Sequence, residues 1–186
     1  MDDTIKVLLP FLTFLLGMVF TPFIENLKLK AKAKAINKSI INEIKDEYFT
    51  IAKSISKIDK SIKERKYKPK NHVHLSLPIS LNLLLLENSI IEVYPVINKE
   101  FRRAYKSLLN LQKSINDQRN IVMENYKDDN SQCLASERSM QYEMLSAYYL
   151  MNKMLTNEDF FEFPTLDNEK IVKLAAEDLN VRFPFE

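Results

Sequence analysis

His72, His74 and Cys133 are the chain's only imidazole and thiol side chains. Alternate residues of an extended segment share a face, so His72 and His74 could offer two imidazoles to one cation. A closed zinc site needs four ligands, and the neighbouring sequence supplies no third, so both read as polar loop residues. A lone Cys133 cannot form an internal disulfide, which agrees with a reducing compartment. The carboxylate pairs Glu87 with Glu92 and Glu137 with Glu143 lack the i,i+3 or i,i+4 spacing of a metal site between helices. No Glu-x-x-His motif accompanies them. Gly17 is the single glycine, which removes the usual phosphate loop and nucleophile elbow. No catalytic residue, metal ligand or cofactor is therefore expected, and the chain reads as a non-enzyme.

The remaining candidates are physical surfaces. Residues 28–70 hold 14 Lys and Arg against 5 Asp and Glu, whereas residues 71–186 hold 12 against 17. Lys28, Lys30, Lys32, Lys34 and Lys38 follow an apolar run directly and are suited to anionic lipid headgroups. The basic stretch could instead face nucleic acid. It has one arginine, Arg65, and no clustered exposed aromatics, so nucleic acid is the weaker expectation.

The apolar run is Ile5 to Ile24, charged only at Lys6. As a helix it would measure about 30 Å, the thickness of a bilayer's hydrocarbon core. It lacks the basic start and small-x-small cleavage site of a signal peptide. It is also long for a buried core helix. These features predict a transmembrane anchor over 1–25. The lysines after it place the N-terminus outside and the remainder in the cytoplasm. Thr13, Gly17 and Thr21 recur every fourth residue, a small-residue face on which two helices could approach closely.

The elements that would carry these surfaces are helical. Ile44, Tyr48, Ile51, Ile55, Ile58 and Ile62 follow a 4-3-4-3-4 spacing, a packing seam on a long helix over about 26–66. Residues 67–80, with Pro69 and Pro78, form a connector. A short leucine-rich helix over 80–94 is apolar nearly all round. Further helices are expected over 98–127 and 132–158, the latter capped by Ser131, and a short one over 168–180 capped by Asp167. Met144, Tyr148 and Met151 form an adaptable stripe. With Phe160, Phe161, Phe163, Phe183 and Phe185 they make a candidate partner surface, although such a stripe is more often core.

The expected architecture is all-α: an N-terminal single transmembrane helix, then an antiparallel helical bundle over 26–186 with a long coiled-coil-like first helix as its spine. The expected role is a scaffold or adaptor anchored in the inner membrane of a bacterial-type cell. It would bind lipid headgroups and either itself, as a homo-oligomer, or a protein partner. An oligomeric pore-forming effector of a defence or toxin system, and a basic nucleic-acid-binding module, are the alternatives.

Overall fold

The computed structural model describes the backbone of residues 3–67, 77–127, 129–157 and 160–185, and their side chains except those of 3–10, 12, 66 and 67. Five helices make up the described architecture: α1 (Asp3–Tyr67), α2 (Leu84–Val93), α3 (Lys99–Asn125), α4 (Asn130–Thr156) and α5 (Asn168–Asp178). α1 is 65 residues long and continues through Pro10 and Pro22. Its length is about 98 Å at ~1.5 Å per residue.

Consecutive helices run antiparallel, as paired side chains show. Lys32 meets Glu92 and Glu43 meets Leu85, so α2 runs back along α1. Ser114 meets Glu143 and Cys133 meets Val122, so α4 runs back along α3. Tyr48 meets Tyr148 and Arg65 meets Glu137, which sets α4 antiparallel to α1 as well. α4 lies against α1, α3 and α5, and α1 meets α3 through the Tyr105 hydroxyl, which donates to Asn37 at 2.7 Å. The central element is therefore α4, not the long isoleucine helix expected as the spine. Its side chains are buried on several faces, from Cys133 and Met140 to Met151 and Met154. α1 presents one stripe only.

The core follows helical periodicity where a sequence has a clear face. Ile40, Ile44, Ile51, Ile55 and Ile58 are buried, with Tyr48 and Ile62 packed at its margin. In α3, Phe101, Tyr105, Leu108, Ile115 and Val122 are buried. Gln112 and Arg119 occupy the skipped positions of that seam and hold irregular backbone. Gln112 accepts from the Leu83 N–H at 2.8 Å, and Arg119 donates to the Pro78 carbonyl at 3.0 Å. The leucine run divides: Leu83 and Leu86 are buried, whereas Leu84 and Leu85 face outward.

Helix ends show two local departures from expectation. The α4 cap is Asp129, which accepts from the Gln132 N–H at 2.9 Å, so Ser131 lies inside the first turn. Asp167 stands at the N-cap of α5 but makes no side-chain cap hydrogen bond. At the other end of α5, Asn180 takes a left-handed φ of 51°. The Val181 N–H closes onto the Ala176 carbonyl at 2.9 Å, a Schellman-type reversal. It turns the tail back onto α4, where Phe183 and Phe185 pack around Tyr142.

The largest correction concerns residues 1–25. Among the described residues no helix is long and apolar enough to cross a membrane. The side chains of residues 3–10 and 12 lie outside the described set. This finding overturns the single-pass anchor and the inner-membrane location with its outside-to-cytoplasm topology. It equally overturns the assignment of lipids as partners and the membrane scaffold and pore readings built on that anchor.

Candidate functional site

Three features stand out from a bundle whose side chains are otherwise largely satisfied. The first is the N-terminal part of α1. Among the described residues of this helix the earliest buried one is Ala33, and the described side chains before it are exposed. Phe14, Val19, Phe23 and Leu29 are each more than 60% exposed, on different sides of the helix. An apolar surface of this extent is rare on an isolated soluble chain and marks an interaction surface. Thr13, Gly17 and Thr21 share one exposed face of this segment. The Thr21 hydroxyl donates to the Gly17 carbonyl at 2.7 Å, which satisfies its donor within the helix. A Cβ added at Gly17 would meet nothing within 4 Å. At about 100° per residue this face lies roughly 160° around the axis from Ala33, away from the side on which the bundle packs.

Lys28, Lys30, Lys32, Lys34 and Lys38 are all exposed where α1 enters the bundle. Lys32 forms an ion pair with Glu92 at 2.8 Å. Both partners are at least half exposed, so the pair contributes little to stability. With the anchor overturned, nothing assigns these lysines to lipid headgroups. His72 and His74 lie outside the described residues. Among the described residues, no group of three or more His, Cys, Asp and Glu could hold a metal ion.

The second feature is a pair of polar clamps that lock α4 to its neighbours. At one end, wholly buried Glu137 accepts from Arg65 through both carboxylate oxygens, at 3.0 and 2.9 Å. The Ser61 hydroxyl donates to the same carboxylate at 2.9 Å. The hydrogen bond to Glu137 holds the Arg65 guanidinium even more firmly protonated than usual, against the opposing effect of burial. Cys133 is buried beside this cluster, and desolvation pushes its thiol up. It is therefore a poor nucleophile. At the middle of α4, Tyr48 and Tyr148 stack at 4.8 Å, and the Tyr48 hydroxyl donates to that of Tyr148 at 2.9 Å. Tyr148 in turn donates to Asp178 of α5 at 2.6 Å. Burial first, then the hydrogen bonds to Asp178 and Tyr48, push the Tyr148 phenol far up. It stays a neutral link in the chain.

These clamps alter the candidate partner surface. Met144, Tyr148 and Met151 are buried in the bundle, so the stripe is core. Phe161 is buried against Phe101, and Phe163 is half-buried beneath Arg103. Phe183 is half-buried against Tyr142. Of the five phenylalanines proposed, only Phe160 and Phe185 remain exposed. Glu137, Arg65 and Asp178 were missed as structural residues, although Arg65 falls seven residues after Ile58 on the same seam.

The third feature is a cleft of about 400 Å³ between α3, α4, the residues 163–166 and the start of α5. Leu111, Leu150, Phe163 and Ile171 form apolar walls, and Glu143 joins them from α4. Glu143 Oε1 accepts from the Ser114 hydroxyl at 2.6 Å. Its Oε2 is shielded from solvent and has no hydrogen-bond partner. Burial raises the titration of this carboxyl, Ser114 opposes the shift, and Asp117 adds to it. Geometry alone defines these features, for no family model, curated protein or solved structure matches the chain.

Proposed function

We propose that this chain is a non-enzymatic helical assembly module that self-associates through the projecting N-terminal part of α1. The observation that carries this reading is the exposed apolar surface of residues 13–29, which lies ahead of Ala33, the first buried residue among those described on the helix. A helix that is apolar all round needs cover on all sides. One partner helix covers only one face. Several copies of the same segment supply equivalent apolar surfaces to each other's flanks. The Thr13–Gly17–Thr21 face favours copies as the occupants. It permits close backbone approach, its Thr21 donor is already satisfied, and it points away from the bundle. Domains on neighbouring copies would therefore splay outward without collision. The absence of catalytic motifs from the sequence supports the non-enzymatic part of the reading.

The test is the mass of the full-length protein in mild detergent, measured by light scattering after correction for bound detergent. A defined homo-oligomer is expected. Gly17→Leu should shift it towards smaller species while the helical content stays the same, because the space beside Gly17 is open within one chain. A monomer whose segment is covered by detergent or lipid alone would overturn the proposal.

A further inference from the structure

We infer that neighbouring copies run antiparallel along the projecting part of α1 and cross at Gly17. This rests on the self-association proposed above and adds to it the direction of the second copy. The stretch is close to a palindrome of side-chain types. Counting outward from Gly17, Thr13 matches Thr21, Phe14 matches Phe20 and Phe11 matches Phe23. All six are exposed. A two-fold axis through Gly17 therefore sets large side chains against large ones and small against small. That is the self-complementary condition of an isologous interface. The Phe14 ring of one copy meets the Phe20 ring of the next on either side of the close approach at Gly17, and aromatic pairs of this kind add to apolar burial.

A parallel pair would also match like with like, so packing does not choose between the two directions. Charge does. At about 100° per residue, Lys28 lies roughly 20° and Lys32 roughly 60° from the Gly17 line, so both continue the contact face. They are exposed, with Lys30, Lys34 and Lys38 beside them. Glu25 is the only acidic residue from 25 to 42. Parallel copies would hold these lysine clusters level with one another, with axes ~8–10 Å apart. Antiparallel copies separate them. Lys28 lies 11 residues past Gly17, so the two Lys28 positions fall about 33 Å apart along the axis. That is several times the ~8 Å screening length at physiological salt, so the repulsion between clusters is lost. At the level of residues 28–31 the sequence of the next copy has residues 3–6, where Asp3 and Lys6 supply one charge of each sign. The antiparallel arrangement keeps the packing and removes the like-charge contact.

The test is disulfide cross-linking of the full-length protein in mild detergent. Thr13→Cys and Thr21→Cys are prepared separately and as a co-expressed mixture with tags of different size. Both positions are exposed, so the bundle is untouched. Cys133 is buried and stays in place, and the unsubstituted protein is the control. In the antiparallel pair Thr13 of one copy lies opposite Thr21 of the next. Two Thr13 positions are then about 12 Å apart along the axis, beyond the ~7 Å between Cα atoms that a disulfide spans. Under mild oxidation the mixed cross-link should therefore form in about tenfold higher yield than either self cross-link. Light scattering on the unsubstituted protein should give an even number of copies, because a closed ring of neighbours alternating in direction contains an even number. Efficient self cross-linking of each variant, an odd number of copies, or a defined oligomer with no cross-link at either position would overturn the antiparallel arrangement and leave self-association standing. A monomer would overturn self-association itself, and this inference with it.

Discussion

Arg65 and Glu137 show at the scale of single residues how much depends on a partner far away in sequence. Taking a carboxylate to complete burial is costly, and here the cost is offset by two guanidinium hydrogen bonds and one from Ser61. Removing only the cation leaves an uncompensated buried charge. Arg65→Met should therefore lose roughly 3–5 kcal/mol of stability, and adding Glu137→Met should restore much of it. Urea unfolding of the two variants checks this, and a cost below about 1 kcal/mol for Arg65→Met would show that the pair behaves like a surface ion pair. Part of this clamp was legible. Arg65 continues the Ile51–Ile55–Ile58–Ile62 spacing, and Glu137 falls three residues after Leu134 and four before Gln141. A charge on the apolar line of each of two helices is a signal of a buried pair. Which charge meets which was not legible, because the two are separated by 72 positions and only the packing of α1 on α4 joins them.

At the scale of elements, α2 depends on a neighbour for its beginning. Its own N-cap, Leu83, makes no side-chain cap hydrogen bond. Glu43 of α1 does the work from outside, accepting from the Leu85 and Leu86 N–H groups at 2.8 and 3.0 Å. A carboxylate there also complements the positive end of the helix dipole. Glu43→Ala should fray the first turn of α2 and cost about 1–2 kcal/mol locally. Hydrogen exchange at the Leu85 and Leu86 amides measures it directly, and unchanged protection there would mean that packing of Leu86 alone holds the turn. The same helix marks the limit of periodicity as a guide. α1 and α3 have one apolar stripe each, so the spacing of their isoleucines and aromatics identifies the buried face. The leucine run of α2 has no preferred face, and tertiary contact alone sends Leu83 and Leu86 inward and Leu84 and Leu85 outward. The methionine stripe of α4 was legible as a line, with core its more frequent role, but residue types alone do not separate a core from a partner surface. Caps differ by a residue or two, as Asp129 and Ser131 illustrate, since both types can accept from the first turn.

At the scale of the whole molecule, the bundle and the projecting part of α1 are energetically separate. Among the described residues, every buried side chain of α1 lies from Ala33 onward, within reach of α2 and α4. Before it the described side chains are exposed, and those of Asn26, Leu29, Lys30 and Lys32 only line a cleft beside Ile91, Pro95 and Val96. They add apolar surface without adding to the core, so their removal should not weaken the fold. A chain beginning at residue 28 retains Ala33, the isoleucine seam and both polar clamps. It should unfold within about 2 °C of the full-length bundle transition, because loss of surface positions rarely changes stability by more than ~0.5 kcal/mol. It should also be monomeric in the absence of detergent. Its transition should not depend on protein concentration, whereas any transition linked to association must. Calorimetry over a range of concentrations, with light scattering on the same samples, reads both properties. A truncated chain that folds and still associates would place the contact on the bundle, where Leu84, Leu85, Ile91, Phe49 and Phe160 are among the exposed apolar residues able to make it. A truncated chain that fails to fold would mean that the projecting segment stabilises the bundle through contacts between copies, and the two parts would have to be treated as one cooperative unit.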